Sequence, residues 1–203
     1  LIVMCALCLS VEVSAMIKTS LRPALVLCAI CTVCTTLVAG AHVYTKDTIA
    51  ARAQEQILSG YKQVLPTAAN LSKEPLTPTP VIKEIQRSTA QGQTNGYIYT
   101  ITPQGYGGEI MVMVGIEAPS MRLAGVKILR QQETPGLGAK CTEPQFLQQF
   151  KAKNLRNPLI LTKQPVEDDD EIQAITASTI TSRALVTGLN EVRAHYKATY
   201  LQP

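Results

Sequence analysis

The strongest constraint on the fold is a run of 21 residues, Ala24 to Tyr44, that carries no formal charge apart from the titratable His42. As an α-helix this run would be about 31 Å long, which matches the apolar core of a bilayer. A cleaved signal peptide would have a shorter apolar stretch, although residues 39–41 (Ala-Gly-Ala) offer a small-residue cleavage site. The run therefore predicts a retained transmembrane helix in contact with membrane lipid, with a signal peptide as the alternative.

The basic residues that flank this run bear on its orientation. Lys18 and Arg22 precede it, whereas Lys46 and Arg52 follow it and are offset by Asp47. Basic residues are enriched on the cytoplasmic side of membrane helices, so the count favours a cytoplasmic N-terminus. We therefore expect a single-pass protein of the cell inner membrane, with the bulk of the chain on the periplasmic side.

The first 15 residues are apolar but too short to span a bilayer, and Glu12 interrupts them. Met16 resembles a natural start in front of an anchor, so we interpret residues 1–15 as an upstream reading or a mis-set start that does not belong to the native chain. We expect an N-terminal cytoplasmic segment, a transmembrane helix, a helix with a linker, and a folded domain. Their predicted bounds are 1–23, 24–44, 45–80 and 81–203.

Three cysteines recur every third residue in the apolar run, at Cys28, Cys31 and Cys34. On a helix they would share one face. Two interpretations are open: a metal or thiol site within the membrane, or small apolar residues on a helix-packing face. No histidine or acidic residue accompanies them, which favours packing and predicts no metal.

The remainder of the chain alternates helical and β-strand patterns, which indicates an α+β fold. β-branched and apolar runs separated by Gly, Pro and Ser predict an antiparallel meander. The prolines of residues 70–80 predict a loop or linker. Predicted helices cover 47–65 (ended by Pro66), 143–153 and 182–200; predicted strands cover 97–102, 109–116, 123–130, 159–161 and Val166.

Composition excludes some functions. The formal net charge is +4, the basic residues are scattered, and the chain has no Trp and two Phe. A nucleic-acid interface needs a basic patch or a stacking platform, so we expect no nucleic-acid partner. No pair of carboxylates or His-containing set suggests an independent catalytic site. His195, on the last predicted helix, is interpreted as a packing or surface residue.

The segment Thr176–Ser182 contains small hydroxyl residues just before the last predicted helix. A helix N-terminus offers free N–H donors and the positive end of the helix dipole, which favour a phosphate group. A threonine hydroxyl there could hold a phosphate or be esterified to one. The alternative is ordinary helix capping by Thr181 or Ser182.

Two glycine-containing segments lie between predicted strands or after them. Glu133–Gly138 reads ETPGLG, in which glycines on either side of Leu137 allow the backbone to approach a flat ligand closely. Gly105–Gly108 reads GYGG and is typical of a hairpin turn. For each segment the alternative to ligand binding is an ordinary connection, with Tyr106 as the stacking candidate in the second.

Together these three segments resemble the FMN-binding domain family in order and spacing, and the N-terminal anchor agrees. That family includes the G subunit of the Rnf ion-translocating electron-transport complex and the C subunit of the sodium-pumping NADH:quinone oxidoreductase. The resemblance extends over about Met16 to Tyr200. It implies a transmembrane helix followed, at 81–203, by an FMN-binding domain with an antiparallel sheet and flanking helices.

The resemblance also implies a covalent flavin. The family's attachment motif resembles Asp-x-x-Ser-Gly-Ala-Thr, and a separate flavin transferase joins its last Thr to the FMN phosphate. The aligned segment is Gln173–Thr179, which identifies Thr179 as the FMN phosphoryl threonine; Gln173, Thr176, Ala177 and Ser178 depart from the pattern. The other residues expected to bind the cofactor are Thr176, Ser178, Thr181, Ser182, Glu133, Thr134, Gly136, Leu137, Gly138 and Tyr106.

The function implied by the resemblance is electron transfer within a ferredoxin–NAD(+) oxidoreductase complex that translocates sodium ions or protons. Such a chain would work with the other subunits of the Rnf complex. Two alternatives remain open: the C-type subunit of the quinone reductase, and a membrane-anchored assembly module without flavin. The departures at Gln173, Thr176 and Ala177 support the second alternative.

Overall fold

The computed structural model describes residues 2–76 and 79–201. The chain divides into two compact units, Leu1–Ala53 and Gln54–Pro203. Helix α1, Ile2–Val64, runs through the described part of the first unit and contributes its last turns to the second. The helices predicted at 24–44 and 47–65 are therefore parts of one helix, which ends just before Pro66 as predicted.

The first unit contains a segment, Leu21–Lys46, that is long and apolar enough to cross a membrane, with a mean hydropathy of 2.3. Threonine hydroxyls in this segment donate hydrogen bonds to carbonyls one turn earlier in the helix: Thr32 donates to the carbonyl of Cys28 at 2.8 Å, and Thr35 donates to that of Cys31 at 2.6 Å. Such bonds keep polar groups paired inside a helix where no water is available. Cys28, Cys31 and Cys34 lie on the exposed helix surface.

The second unit is built on a five-stranded antiparallel sheet in which the strands follow chain order. The strands are β1 (Asn70–Lys73), β2 (Ile82–Ala90), β3 (Gln93–Ile101), β4 (Met111–Glu117) and β5 (Arg122–Arg130). The predicted meander over the last three strands is confirmed, as is the α+β fold.

The first two strands were missed by the sequence patterns, and the assignment of residues 70–73 to a loop is wrong. Strand β1 is a short edge strand with mostly exposed, polar side chains, so it has no apolar alternation to detect. In β2 the buried side chains are Ile82, Ile85 and Ser88, spaced by three. The pairing register shifts between Ile82 and Glu84, and again just after Ser88, which breaks the usual spacing of two.

The connection after the sheet is less helical than predicted. The predicted helix 143–153 is a single turn, α2 (Pro144–Leu147), flanked by 3-10 helices at Gly138–Thr142 and Gln148–Phe150. A parallel pair follows, β6 (Ile160–Thr162) with β7 (Glu171–Gln173). The strand predicted at 159–161 is confirmed with a shift of one residue, whereas Val166 lies outside any strand.

The last helix, α3, spans Thr179–Tyr200 and begins three residues earlier than predicted. Its N-cap is Ser178, so the assignment of Thr181 or Ser182 as cap is wrong; both hydroxyls form hydrogen bonds inside the fold instead. Its predicted apolar stripe is confirmed, because four residues at helical spacing are buried in the main core with the sheet: Leu185, Leu189, Val192 and Tyr196.

Aromatic side chains at the end of α3 pack against those of strand β3. The rings of Tyr97 and Tyr200 stack with centroids 4.0 Å apart, and Tyr196 meets Tyr97 edge-on. His195 packs edge-on against Tyr99, whose hydroxyl lies 3.3 Å from the histidine Nδ1. The interpretation of His195 as a packing residue agrees with this geometry.

A second, smaller core lies where the end of α1 meets the sheet. Val64 and Leu65 are buried there with Ile98 and Met113. A Cβ atom added to Gly115 would overlap the backbone oxygen of Val64, so only glycine lets the helix end lie this close to the sheet. We call this contact, formed by these five residues, the glycine seat.

Candidate functional site

A pocket of about 510 Å³ opens at the start of α3. Three chain segments converge on it: the turn between β3 and β4, the loop after β5, and the first turn of α3. The lining residues are Tyr106, Glu133, Thr134, Leu137, Gly138, Ala177, Ser178, Thr179, Ile180 and Thr181. The three segments singled out in the sequence are thus brought together.

The turn 104–109 connects β3 to β4, as the hairpin interpretation predicts. Gln104 and Glu109 form an isolated antiparallel bridge, and the N–H of Gly105 donates to the carbonyl of Gly108 at 2.9 Å. Tyr106, at the tip, is 73% exposed. Its ring is therefore available to a ligand in the pocket, since no core contact occupies it.

The loop after β5 is shaped by its own hydrogen bonds. The carbonyl of Thr134 accepts from the N–H of Leu137 at 3.1 Å and from that of Ala139 at 3.2 Å. Gly136 has a φ of +76°, a left-handed conformation that favours glycine at the tip of this turn. Leu137 is left 43% exposed at the pocket, whereas Gly138 is buried.

The start of α3 combines a buried set of hydroxyls with one that is half exposed. Ser182 donates to the carbonyl of Ser178 at 3.0 Å and accepts from the N–H of Ile175 at 3.0 Å. Thr179 is the first helical residue, is half-buried, and lines the pocket. The first amides of a helix lack partners within the helix, so this end can hold a phosphate.

Glu133 is the one charged residue of the pocket lining, and it is only 6% exposed. Its Oε2 accepts from the hydroxyl of Thr181 at 2.9 Å, and its Oε1 accepts from the N–H of Gly107 at 3.1 Å. The Thr181 hydroxyl also lies 3.2 Å from that of Ser178. The carboxylate therefore connects all three segments of the pocket.

Cys141 lies in the 3-10 helix behind the pocket and is fully buried. Burial raises the pKa of its thiol to about 11, and the negative charge of Glu133 acts in the same direction. The thiol is therefore protonated at neutral pH and is not a nucleophile.

Seven of the residues predicted to accompany Thr179 line the pocket with it, and three do not. Gly136 shapes the loop, Thr176 lies on an exposed turn outside the pocket, and Ser182 is buried beneath it. Two lining residues, Ala177 and Ile180, were not predicted. Ile180 is 56% exposed although apolar, a signal that only the structure provides.

The pocket suits a flavin mononucleotide in size and chemistry. Its volume is within the usual range for small-ligand sites, about 300–1,000 Å³. A helix N-terminus and hydroxyl groups suit the phosphate, whereas the exposed side chains of Tyr106, Leu137 and Ile180 suit a flat aromatic ring. A Cβ on Gly138 would overlap the Glu133 carboxylate, so the glycine keeps this wall of the pocket compact.

Comparison with known proteins identifies the family. Residues 16–64 match the RnfG N-terminal region, and residues 105–194 match the FMN-binding domain. The G subunit of the ion-translocating oxidoreductase complex of Aliivibrio fischeri is 31% identical over 196 residues, which cover 90% of the chain and 92% of that relative. The chain belongs to the G-subunit family of ion-translocating oxidoreductase complexes.

A further relative agrees with this assignment. The G subunit of the Na(+)-translocating ferredoxin:NAD(+) oxidoreductase complex of Acetobacterium woodii is 39% identical over 109 residues, which span about half of each chain (53% of this one and 52% of the relative). Among solved structures, the C subunit of the Na(+)-translocating NADH-quinone reductase from Parabacteroides distasonis is 25% identical, with a TM-score of 0.48. That match covers 56% of this chain and 60% of the other.

Membership of the G-subunit family confirms the resemblance on which the sequence interpretation depends. The match to the FMN-binding domain contains the turn, the loop and most of α3, and therefore the whole pocket. Members of the family are subunits of oxidoreductase complexes that translocate ions. The predictions of an FMN-binding domain and of an electron-transfer subunit in such a complex are confirmed at this level.

Proposed function

We propose that the chain carries FMN in phosphoester linkage to Thr179 and transfers electrons in an Rnf-type complex. The observation that supports the site is the contrast among the hydroxyls at the start of α3. Those of Thr181 and Ser182 are fully buried and hydrogen-bonded, whereas Thr179 is half exposed, lines the pocket and follows the N-cap. Thr179 is thus the hydroxyl that can react without disturbing the fold.

The attachment needs an activated flavin and a transferase. The Thr179 oxygen would form a bond to the phosphorus of the FMN part of a flavin dinucleotide, and the bond from that phosphorus to the bridging oxygen of the pyrophosphate would break. Adenylate would leave with that bonding electron pair, and the hydroxyl proton would pass to a base of the transferase. A phosphoanhydride is exchanged for a phosphoester, with no change in the redox state of the flavin.

The chain's own residues would then hold and shield the cofactor. The free amides and dipole of the α3 N-terminus favour the negative phosphodiester. Tyr106, Leu137 and Ile180 provide exposed apolar surface beside the attachment point. When bound, FMN supplies one- and two-electron transfer, and the covalent bond keeps it on the chain through repeated turnover.

The electron donor and acceptor systems are proposed from the relatives. The related complex of Acetobacterium woodii is named a ferredoxin:NAD(+) oxidoreductase, so electrons would pass between ferredoxin and NAD(+) through the other subunits of the complex. The segment Leu21–Lys46 would anchor the chain in the lipid of the inner membrane. Lys18 and Arg22, close to the start of the apolar run, favour a cytoplasmic N-terminus, and therefore a periplasmic FMN domain.

Mass spectrometry of the tryptic peptide Gln164–Arg183, from protein produced in its native host, tests the linkage. We expect a mass increase equal to FMN minus water, localised by fragmentation to Thr179. The Thr179→Val variant should lack covalent flavin, whereas Thr187→Val, on an exposed position of α3 outside the pocket, should keep it. An unmodified peptide from an active complex would refute covalent attachment and favour a flavin-free assembly module or a noncovalent flavin.

Reporter fusions test the membrane orientation. Alkaline phosphatase joined after Leu201 should be active in the periplasm, and green fluorescent protein at the same position should be dark when exported through the Sec pathway. The reverse pattern would place the FMN domain in the cytoplasm and leave the linkage proposal unaffected.

A further inference from the structure

The carboxylate of Glu133 is buried in a part of the fold where an unpaired charge is costly. Its side chain is 6% exposed, and the ion pairs of the described residues, Lys73 with Glu84 and Arg87 with Glu74, do not include it. A buried carboxylate without a cation is normally disfavoured unless hydrogen bonds compensate. Its burial here calls for an explanation beyond packing.

The hydrogen bonds of Glu133 reach the two other segments of the pocket. One carboxylate oxygen accepts from the N–H of Gly107 in the turn, at 3.1 Å, and the other accepts from the hydroxyl of Thr181 in α3, at 2.9 Å. The N–H of Glu133 itself donates to the side-chain oxygen of Gln131 at 2.6 Å. A single side chain therefore sets the relative positions of the turn, the loop and the helix end.

The surrounding glycines make room for this carboxylate. A Cβ atom on Gly105 would overlap one carboxylate oxygen, and a Cβ atom on Gly138 would overlap the other. Two of the glycines in the sequence motifs are therefore explained by Glu133, because any larger residue would displace the carboxylate. The motifs form one packed unit around the charge.

A short chain of hydrogen bonds leads from Glu133 to the attachment point. Thr181 donates to the carboxylate, and its hydroxyl lies 3.2 Å from that of Ser178, the N-cap of α3. These two residues bracket Thr179 and Ile180 in the sequence. Fixing both of them fixes the first helical turn, while the Thr179 side chain remains at the pocket surface.

We propose that Glu133 is a positioning residue for flavin attachment, acting through Thr181 and Ser178 to hold Thr179 at the pocket. The inference rests on the proposed linkage at Thr179. Glu133 makes no contact with the reacting phosphorus in this role. Its carboxylate accepts a hydrogen bond from the Thr181 hydroxyl, and this bond orders the helical turn that presents the Thr179 oxygen.

The test measures the rate of FMN attachment to the full-length chain in detergent, with purified flavin transferase and flavin dinucleotide. Glu133→Gln, which is isosteric but cannot accept both hydrogen bonds, should lower the rate at least tenfold. The matched control Glu109→Gln neutralises an exposed carboxylate beside the same turn and should leave the rate within twofold of wild type. A wild-type rate for Glu133→Gln would overturn the inference.

A second pair of variants separates positioning from a loss of folding. Thr181→Val should slow attachment as Glu133→Gln does, and Thr181→Ser, which restores the hydroxyl, should recover most of the rate. The double variant, Glu133→Gln with Thr181→Val, should lower the attachment rate no more than the more harmful single variant does. The reason is that both substitutions remove the same hydrogen bond, the one between Thr181 and Glu133. Rates are taken per folded molecule, with circular dichroism as the measure of folding.

The remaining outcomes are also decisive. A Thr181→Val variant that attaches FMN at the wild-type rate, or independent effects in the double variant, would limit Glu133 to a structural role and refute the inference. If wild-type protein accepts no FMN while a verified substrate of the same transferase does, the proposed linkage itself fails. If wild type is modified on Thr179 and Glu133→Gln is equally modified, only the positioning role fails.

Discussion

The glycine seat and the pocket both depend on close approach to glycine, but they differ in what approaches. At the seat, Gly115 admits the backbone of Val64, and the surroundings are apolar. At the pocket, Gly105 and Gly138 admit the carboxylate of Glu133, and the surroundings are hydroxyls and amides. A glycine in a motif therefore does not reveal whether structure or chemistry requires it; the partner atom does.

The two regions should respond to different kinds of substitution. The seat is held by volume and apolar contact, so it should tolerate a change of side-chain type that preserves shape. The pocket is held by directed hydrogen bonds to a buried charge, so an isosteric change that removes an acceptor should be costly. Two predictions test this difference directly, and two more concern the backbone at the pocket and the aromatic contacts of α3; they run from the largest expected effect to the smallest.

Gly115→Ala should produce the largest effect. The added methyl group would overlap the Val64 backbone oxygen and force the end of α1 away from the sheet, which should lower the free energy of unfolding by about 3 kcal/mol. Denaturant titration of the full chain in detergent, followed by circular dichroism, measures this loss. Gly40→Ala, at a position with open space inside α1, is the control and should not lower stability, because alanine favours a helix over glycine by about 1 kcal/mol. Equal stability of the two variants would refute the steric argument.

A pair of shape-preserving substitutions compares the regions directly. Met113→Leu at the seat should cost below about 1.5 kcal/mol, because volume and polarity are conserved. Glu133→Gln at the pocket should cost about 2 kcal/mol, because the amide cannot accept from both Gly107 and Thr181. Free energies of unfolding without flavin provide the comparison. If Met113→Leu is the more harmful, the distinction between the regions is lost.

Ala177→Gly should stabilise the pocket. Ala177 has a φ of +62°, in the left-handed region that disfavours a Cβ, and it occupies the position of the motif's glycine. Relief of this strain, less the entropy gained by the unfolded chain, should add about 1 kcal/mol or somewhat less to the free energy of unfolding. Ala174→Gly, whose backbone is not in that region, should instead be destabilising. A loss of stability in Ala177→Gly would contradict the strain argument.

The smallest effect concerns pH at the aromatic contacts of α3. Burial lowers the pKa of His195, so the unfolded chain binds a proton more readily than the folded one. Stability from this group is therefore present above the unfolded pKa of about 6.5 and is lost as pH falls through the lower folded value. Unfolding titrations between pH 8 and pH 5 should show a slightly steeper loss for wild type than for His195→Gln. Identical slopes would show that His195 does not contribute to the pH dependence of stability.

Some elements could be predicted because their signal is local. The apolar segment Leu21–Lys46 needs only length and hydropathy, and strands β3–β5 alternate or run apolar between turn residues. The stripe of α3 repeats at helical spacing. Strand β2 escaped detection because its register shifts are set by pairing with β3, which is information that its own residues do not contain.

The same distinction holds at the site. The sequence by itself determined which segments carry the motifs, since GYGG, ETPGLG and the hydroxyl segment before α3 are local patterns with a family resemblance. Only the tertiary structure decided which hydroxyl of the first turn of α3 stays partly exposed at the pocket, because Thr181 and Ser182 are buried by groups distant in the chain or across a turn. It also placed Glu133 at their junction: a buried charge is tolerated only where donors from separate segments converge, and that convergence is a property of the fold.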